Sequence, residues 1–160
     1  MRDDELVIAD WKRILKLAAE WRMPPTEIEK SFLRSGIIPQ RYSRNINAIR
    51  PAEQKLLLDA RVGVCGCGGL GLHIITNLAR IGVGHISFWD PDVFSESNLN
   101  RQLLSGYGNL GHKKVEVCSR FIKDVNPGIS VTAVPTRWEE GDLNVFAQQQ
   151  VIVDALDNIP

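Results

Sequence analysis

The 160-residue sequence has no net charge, with 19 basic residues set against 19 acidic ones. That balance excludes a global field able to attract nucleic acid or a membrane surface, so any anion site must be built locally. Cysteines are scarce and odd in number: three, with no C-x-x-C pair. Cys65 and Cys67 flank one glycine and Cys118 falls in a later helical pattern. They read as small apolar residues in a reducing compartment rather than as a zinc set or a disulfide framework. The histidines His73, His85 and His112 are scattered and read as structural or solvated. No apolar run reaches membrane length and no secretory leader pattern opens the chain, which reads as cytoplasmic. Internal repeats and low-complexity tracts are also missing. What is present, 44% hydrophobic residues, suffices for one ordinary core.

The stretch from Arg61 to Arg101 organises the rest. A short apolar run, Val62 to Cys65, enters Gly66-Cys67-Gly68-Gly69-Leu70-Gly71, followed by an amphipathic helical pattern to about Ile81, then His85 to Trp89 as a second strand and Asp90 at its end. Strand, glycine turn, helix, strand and acid is the form of a nucleotide-binding βαβ unit. Gly66, Gly68, Gly69 and Gly71 would provide the tight turn, the close approach of backbone to phosphate and the packing of helix on strand. Free N–H groups in the first helical turn would face the phosphates, where the helix dipole favours negative charge.

Upstream, the periodicity predicts a helix over residues 3 to 22, with Asp3 and Asp4 at its start and Val7, Trp11, Ile14, Leu15, Ala18 and Trp21 on one face. After Pro24 and Pro25, a second helix is predicted from Thr26, with Glu29 completing a capping box and Gly36 at its end. This helical extension, residues 1 to 40, is too small to stand alone. A DNA-binding helix-turn-helix is an alternative, though only Lys30 and Arg34 would meet phosphates. A polar patch, Arg41 to Asn45, precedes a short helix opened by Pro51 that would bury Leu56, Leu57 and Leu58. Downstream, a helix is expected from about His112 to Val125, a strand from Ile129 to Val134, a weak helix from Leu143 to Gln149 and a short buried strand, Val151 to Val153, ending in Asp154. No helix follows that strand to cover it, so the 160 residues read as the front part of a longer protein.

The rim after the second strand distinguishes one class of nucleotide enzyme from another. It runs Asp90-Pro91-Asp92-Val93-Phe94-Ser95-Glu96-Ser97-Asn98-Leu99-Asn100-Arg101-Gln102, crowding Asp90 and Asp92, then Asn98, Arg101 and Gln102, where a nucleotide would lie. With Arg41-Tyr42-Ser43-Arg44, the GxGGLG turn, Gly111-His112-Lys113-Lys114-Val115-Glu116 and Asp154-Ala155-Leu156-Asp157-Asn158, the sequence from residue 41 to 158 resembles the ThiF/MoeB/HesA family, bacterial relatives of ubiquitin-activating enzymes. The resemblance implies an α/β fold with a mostly parallel, Rossmann-like sheet over residues 41 to 160. It implies an ATP-dependent adenylyltransferase that activates the C-terminal carboxylate of a small ubiquitin-like sulfur-carrier protein ending in Gly-Gly. It also implies a homodimer; as for other partners, the charge balance disfavours nucleic acid and the missing membrane-length run a membrane.

On this resemblance Asp90 would accept the ribose hydroxyls, with Asp92 beside it, and Asn98, Arg101 and Gln102 would line the phosphates. Arg101 would be the main charge clamp, since a guanidinium fork matches phosphate oxygens bidentately. Lys114 matches the family's phosphate lysine, whereas Lys113 is a solvated neighbour. Asp157, with Asn158 next to it, matches the acid that holds Mg²⁺ on the triphosphate. Arg44 matches an arginine that crosses the dimer interface to the γ-phosphate. Zinc motifs and a transfer cysteine, frequent in full-length relatives, do not occur in these residues. Other readings of the same motifs are activation of a small-molecule or tRNA-borne carboxylate, an NAD-dependent oxidoreductase, and a binding module on an inert nucleotide fold.

Overall fold

The computed structural model describes residues 7–138 and 143–157, which separate into two compact units at Asp59/Ala60. The first unit opens with a two-residue strand, β1 (Ile8–Ala9), and the helix α1 (Trp11–Trp21). This corrects the single helix expected from residue 3. Ile8 pairs in parallel with Ile38, and Asp10 caps α1 by accepting the Arg13 N–H at 2.8 Å, so the helix cannot begin earlier. Asp3 and Asp4 lie outside the described residues.

Helix α2 (Pro25–Arg34) begins with a proline at its first position, one residue before the expected Thr26. Glu29 forms no capping box; its side chain is turned inward and fully buried. Gly36, at φ +76°, takes the chain out of the helix into β2 (Ile38–Pro39). A short 3₁₀ turn, Gln40–Tyr42, follows, and then α3 (Pro51–Asp59). Within α3 the buried positions are Gln54 and Leu58, one turn apart, while Leu56 is 65% exposed. Three consecutive leucines cannot share one helical face. Ala9, Ile14, Ala18, Ile28 and Phe32 form one apolar cluster, and Leu33, Ile38, Tyr42 and Leu58 a second. Because α3 packs on α2, this unit extends past the 40/41 boundary expected from the motifs.

The second unit is a four-stranded parallel sheet with the strand order β5-β4-β3-β6: β3 (Arg61–Cys65), β4 (His85–Trp89), β5 (Ser130–Val134) and β6 (Val151–Asp154). This is the α/β, Rossmann-like parallel fold expected from the sequence. The crossover helices are α4 (Gly69–Ile81), α5 (Lys114–Val125) and a single turn, α6 (Leu143–Phe146), shorter than expected. Val62, Val64, Ile86 and Phe88 are buried from the strands, as are Leu72, Ile75 and Ala79 from α4 and Val115, Cys118 and Ile122 from α5. Strand β6 differs from the expected buried strand: among the described residues it is the last strand on its side of the sheet, with Val151 53% and Ile152 39% exposed. Among the described residues, no helix is long and apolar enough to cross a membrane.

Candidate functional site

Chain direction changes sides between β3 and β6: β4 and β5 extend the sheet one way from β3, and β6 flanks it on the other. Ligands of open α/β sheets bind at the carboxyl ends of strands at such a switch point. A cavity of about 720 Å³ opens there, lined by residues of the second unit alone. Its walls include Gly66, Gly68, Gly69, Asp90, Asp92, Arg101, Gln102, Lys114 and Asp157.

Two glycines make the floor possible. Gly66 takes φ +98°, and a Cβ there would stand 2.8 Å from the Ala155 carbonyl oxygen. A Cβ on Gly71 would stand 1.9 Å from the Gly66 carbonyl oxygen, so α4 can meet the turn only without a side chain. Gly71 therefore acts beneath the cavity rather than in its wall. No side chain caps α4 at Gly68, and Gly68, Gly69 and Leu70 line the cavity, which leaves the first turn of a 13-residue helix facing it.

Asp90 is 6% exposed and holds the turn in place: Oδ2 accepts the Cys67 N–H at 2.7 Å and Oδ1 the Asp92 N–H at 2.8 Å. Each carboxylate oxygen retains lone-pair capacity toward the cavity. Lys114, 4% exposed, extends its ammonium to Asp92 Oδ2 at 2.9 Å. Backbone pairing brings the two together, since Phe94 N–H donates to the His112 carbonyl, Gly111 N–H to the Phe94 carbonyl and Lys114 N–H to the Asp92 carbonyl. Lys113 is exposed.

Arg101 is exposed and anchored through Nη1, which donates to the Ser97 carbonyl at 2.9 Å and to Asn100 Oδ1 at 3.1 Å. It is paired with neither Asp90 nor Asp92 among the ion pairs of the described residues. Gln102 is buried at the cavity wall, and its Oε1 has no hydrogen-bond partner there. An orphaned amide atom at a ligand-sized cavity points to a polar group on the occupant. Asn98 is placed differently: its Oδ1 accepts the Ser95 N–H at 3.0 Å in a capping box, so it shapes the rim and does not line the cavity. Arg44 is exposed in the first unit, and Asn158 lies outside the described residues.

The thiols of the glycine turn are unsuited to nucleophilic work. Burial, with the Asp154 charge, pushes Cys65 up to about 11. A hydrogen bond with Cys118 and burial raise Cys67 well above the usual thiol range.

Cavity residues not foreseen from the motifs are Trp89, Arg137, Trp138 and Leu156. Trp89 packs on Phe146 at 4.8 Å between ring centroids, and Phe146 on Trp138 at 4.9 Å. The available signal was position: Trp89 closes β4, and Arg137 and Trp138 follow β5 shortly after its carboxyl end.

The acids at the cavity are Asp90, Asp92 and Asp157. The first two are engaged by backbone N–H groups and by Lys114, whereas no described residue holds the exposed Asp157. Among the described residues no three His, Cys, Asp or Glu side chains converge on a metal position. One hard carboxylate completed by phosphate oxygens is a donor set that suits magnesium brought with a nucleotide.

Comparison with known proteins agrees with this geometry. The profile of the ThiF family matches residues 42–160. The SAMP-activating enzyme E1 of Haloferax volcanii is 41% identical over 123 residues, covering 75% of this chain and 46% of that protein. The molybdopterin-synthase adenylyltransferase of Escherichia coli is 36% identical over 123 residues, covering 74% of this chain and 49% of that protein. The chain thus spans about half the length of these curated relatives. Among solved structures, E. coli tRNA N6-threonylcarbamoyladenosine dehydratase in complex with ATP superposes with a TM-score of 0.71 at 30% identity, covering 75% of this chain and 50% of that one.

Proposed function

Because the chain belongs to the ThiF family, we propose that its second unit binds ATP at the switch-point cavity and supports transfer of the adenylyl group to a carboxylate. The observation that carries the proposal is the convergence of Arg101, Lys114, Gln102 and the uncapped start of α4 on one cavity also lined by Asp90 and Asp157. A triphosphate brings about four negative charges, which these groups would share. Asp90 would hold the ribose hydroxyls while keeping the glycine turn in place. Arg101 and Lys114 would neutralise the phosphates, with Lys114 exchanging Asp92 for a phosphate oxygen. Asp157, with Asn158 beside it, would hold Mg²⁺. When bound, the ion would screen the charge that builds on departing pyrophosphate.

The step requires no protein nucleophile. A carboxylate oxygen of the acceptor attacks the α-phosphorus, forming an acyl–phosphate bond, and the bond from that phosphorus to the β-phosphate oxygen breaks. Alignment and charge neutralisation then account for the rate. The raised thiols of Cys65 and Cys67 accord with a route that leaves them as packing residues. For the acceptor we propose the C-terminal Gly-Gly carboxylate of a small ubiquitin-like sulfur carrier, a reading in keeping with relatives named a SAMP-activating enzyme E1 and a molybdopterin-synthase adenylyltransferase. In that reading the protein is a homodimer, and Arg44 is offered across the interface to the γ-phosphate. A small-molecule or tRNA-borne carboxylate is the second reading, favoured by the fold similarity to the tRNA-modifying dehydratase bound to ATP.

ATP–pyrophosphate exchange by the full-length protein in the presence of candidate carriers tests this function. Exchange should require a carrier ending in Gly-Gly, and Arg101→Ala should lower it on the order of 10²–10³-fold. Exchange stimulated by a small carboxylic acid but by no carrier would favour the second reading. Binding of NAD without ATP would refute adenylyl transfer altogether.

A further inference from the structure

The first unit contains an arrangement that nucleotide binding by the second does not explain. Glu29 is 0% exposed, and neither of its carboxylate oxygens has a hydrogen-bond partner. The charged group against it is Arg41, whose Nε stands 3.5 Å from Oε1, an ion-pair distance without hydrogen-bond geometry. The Arg41 guanidinium also lies 4.2 Å from the Trp11 ring centroid and 5.9 Å from that of Tyr42. An acid from α2 and an aromatic ring from α1 thus grip one arginine at the start of the Arg41-Tyr42-Ser43-Arg44 segment.

That segment is anchored on both sides of Arg44. Tyr42 is buried in the cluster with Leu33, Ile38 and Leu58. Asn45 donates its N–H to the Tyr42 carbonyl at 2.9 Å and its side-chain amide to the buried Gln54 at 3.0 Å. Ser43 closes the preceding turn on Gln40 at 3.1 Å. Arg44 is the exposed residue between these fixed neighbours. A solvated linker needs no buried carboxylate, and burying one without donors costs stability that an apolar residue would restore.

We propose that Glu29 and Trp11 are positioning residues, which fix the Arg41 guanidinium and through it the turn that presents Arg44 to the terminal phosphate of ATP. This gives the helical extension a role in nucleotide binding, and it rests on the reading of Arg44 given above. Glu29 acts as an anion in this arrangement, and burial lifts its carboxyl to about 7 against the opposing pull of Arg41. Of the other charges on the elements packed around α2, Lys30 pairs with Glu27 and Asp59, Lys55 with Asp59, Glu53 with Arg50 and Lys16 with Glu20, while Lys12, Arg13 and Arg34 are exposed.

Isothermal titration of the full-length protein with ATP and with AMP tests the idea, because only ATP carries the γ-phosphate. Arg44→Ala should weaken ATP about tenfold and leave AMP within about twofold, the size of one charge-assisted contact. Glu29→Gln should weaken ATP about threefold at pH 8 with AMP unmoved, and the loss should vanish at pH 6, where the wild-type carboxyl is also neutral. Added to Arg44→Ala, Glu29→Gln should have no further effect, since it acts through that residue. Arg41→Lys, which keeps the charge but not the flat stacking surface, should reproduce the loss and serves if Glu29→Gln does not fold. Unchanged ATP affinity in Glu29→Gln at pH 8 beside a weakened Arg44→Ala overturns the positioning role alone, and so do equal losses for ATP and AMP. Unchanged ATP affinity in Arg44→Ala overturns the reading beneath it.

Discussion

Asp90 and Glu29 are both buried acids, and their surroundings give them opposite energetics. Asp90 accepts two backbone N–H bonds, which compensate its desolvation. Glu29 accepts none and lies beside a single guanidinium at 3.5 Å. With a folded value of about 7 against an ordinary 4.5, the folded protein binds the Glu29 proton more tightly than the unfolded chain does. Stability is therefore full below about pH 4.5 and declines as pH rises through 7, by up to about 3 kcal/mol once Glu29 is ionised. Glu29→Gln lacks this titration. Urea unfolding at pH 5 and pH 8 should show the variant gaining on the wild type by about 2 kcal/mol or more between the two. A constant difference would mean that Glu29 titrates alike in the folded and unfolded chain, so that its burial does not raise it. A variant that is more stable yet binds ATP less well would match a charge kept for position rather than for stability. Both acids were visible in the sequence, Asp90 as the acid ending a strand and Glu29 as a capping residue. What each carboxylate touches depends on chain segments distant in sequence, so the assignment held for the position of Asp90 and failed for Glu29.

At the level of elements, the turn between β3 and α4 is fixed by a steric limit. Adding one methyl at residue 71 would bring a carbon to 1.9 Å from the Gly66 carbonyl oxygen and 2.8 Å from its carbon, backbone atoms with no flexible end that could yield. Gly71→Ala should accordingly lose about 3 kcal/mol or more of unfolding free energy and nucleotide binding with it. A Cβ on Gly68 meets nothing within 4 Å, so Gly68→Ala should fold normally. Thermal denaturation of the two variants side by side checks the contrast. The sequence showed this element because glycine spacing and the apolar runs beside it express local geometry. Strands β3 and β4 were legible for the same reason, and α5 nearly so: expected from about His112, it begins at Lys114. Strand β1 was not, because two residues carry no periodicity and Ile8 is extended only through its pairing with Ile38. The exposure of β6 was also hidden: an apolar run reads alike at the edge and in the centre of a sheet. The aromatic wall of Trp89, Phe146 and Trp138 joins three elements and has no local signature.

Across the second unit, the strand order distributes the site in space. The carboxyl end of β5 leads to Arg137 and Trp138, that of β4 to Asp90, that of β3 to the glycines and that of β6 to Asp157. Base, ribose and phosphates can be taken in turn along that edge, and Asp157 stands on the far side of the switch point from β4. A triphosphate has charge to place there. NAD, with two bridged phosphates in its middle, does not end in a phosphate chain that could reach a magnesium held by Asp157. If Asp157 holds the ion, its contribution should be separable from nucleotide binding itself. In calorimetry the wild type should bind ATP more tightly with Mg²⁺ than in EDTA. Asp157→Asn should bring the two values together while leaving AMP affinity within about twofold, because only the ion-linked contact of about 1–2 kcal/mol is removed. An Asp157→Asn protein that keeps the full magnesium dependence would move the ion to another ligand. One that loses AMP binding as well would make Asp157 part of the cavity's architecture rather than a ligand for the metal.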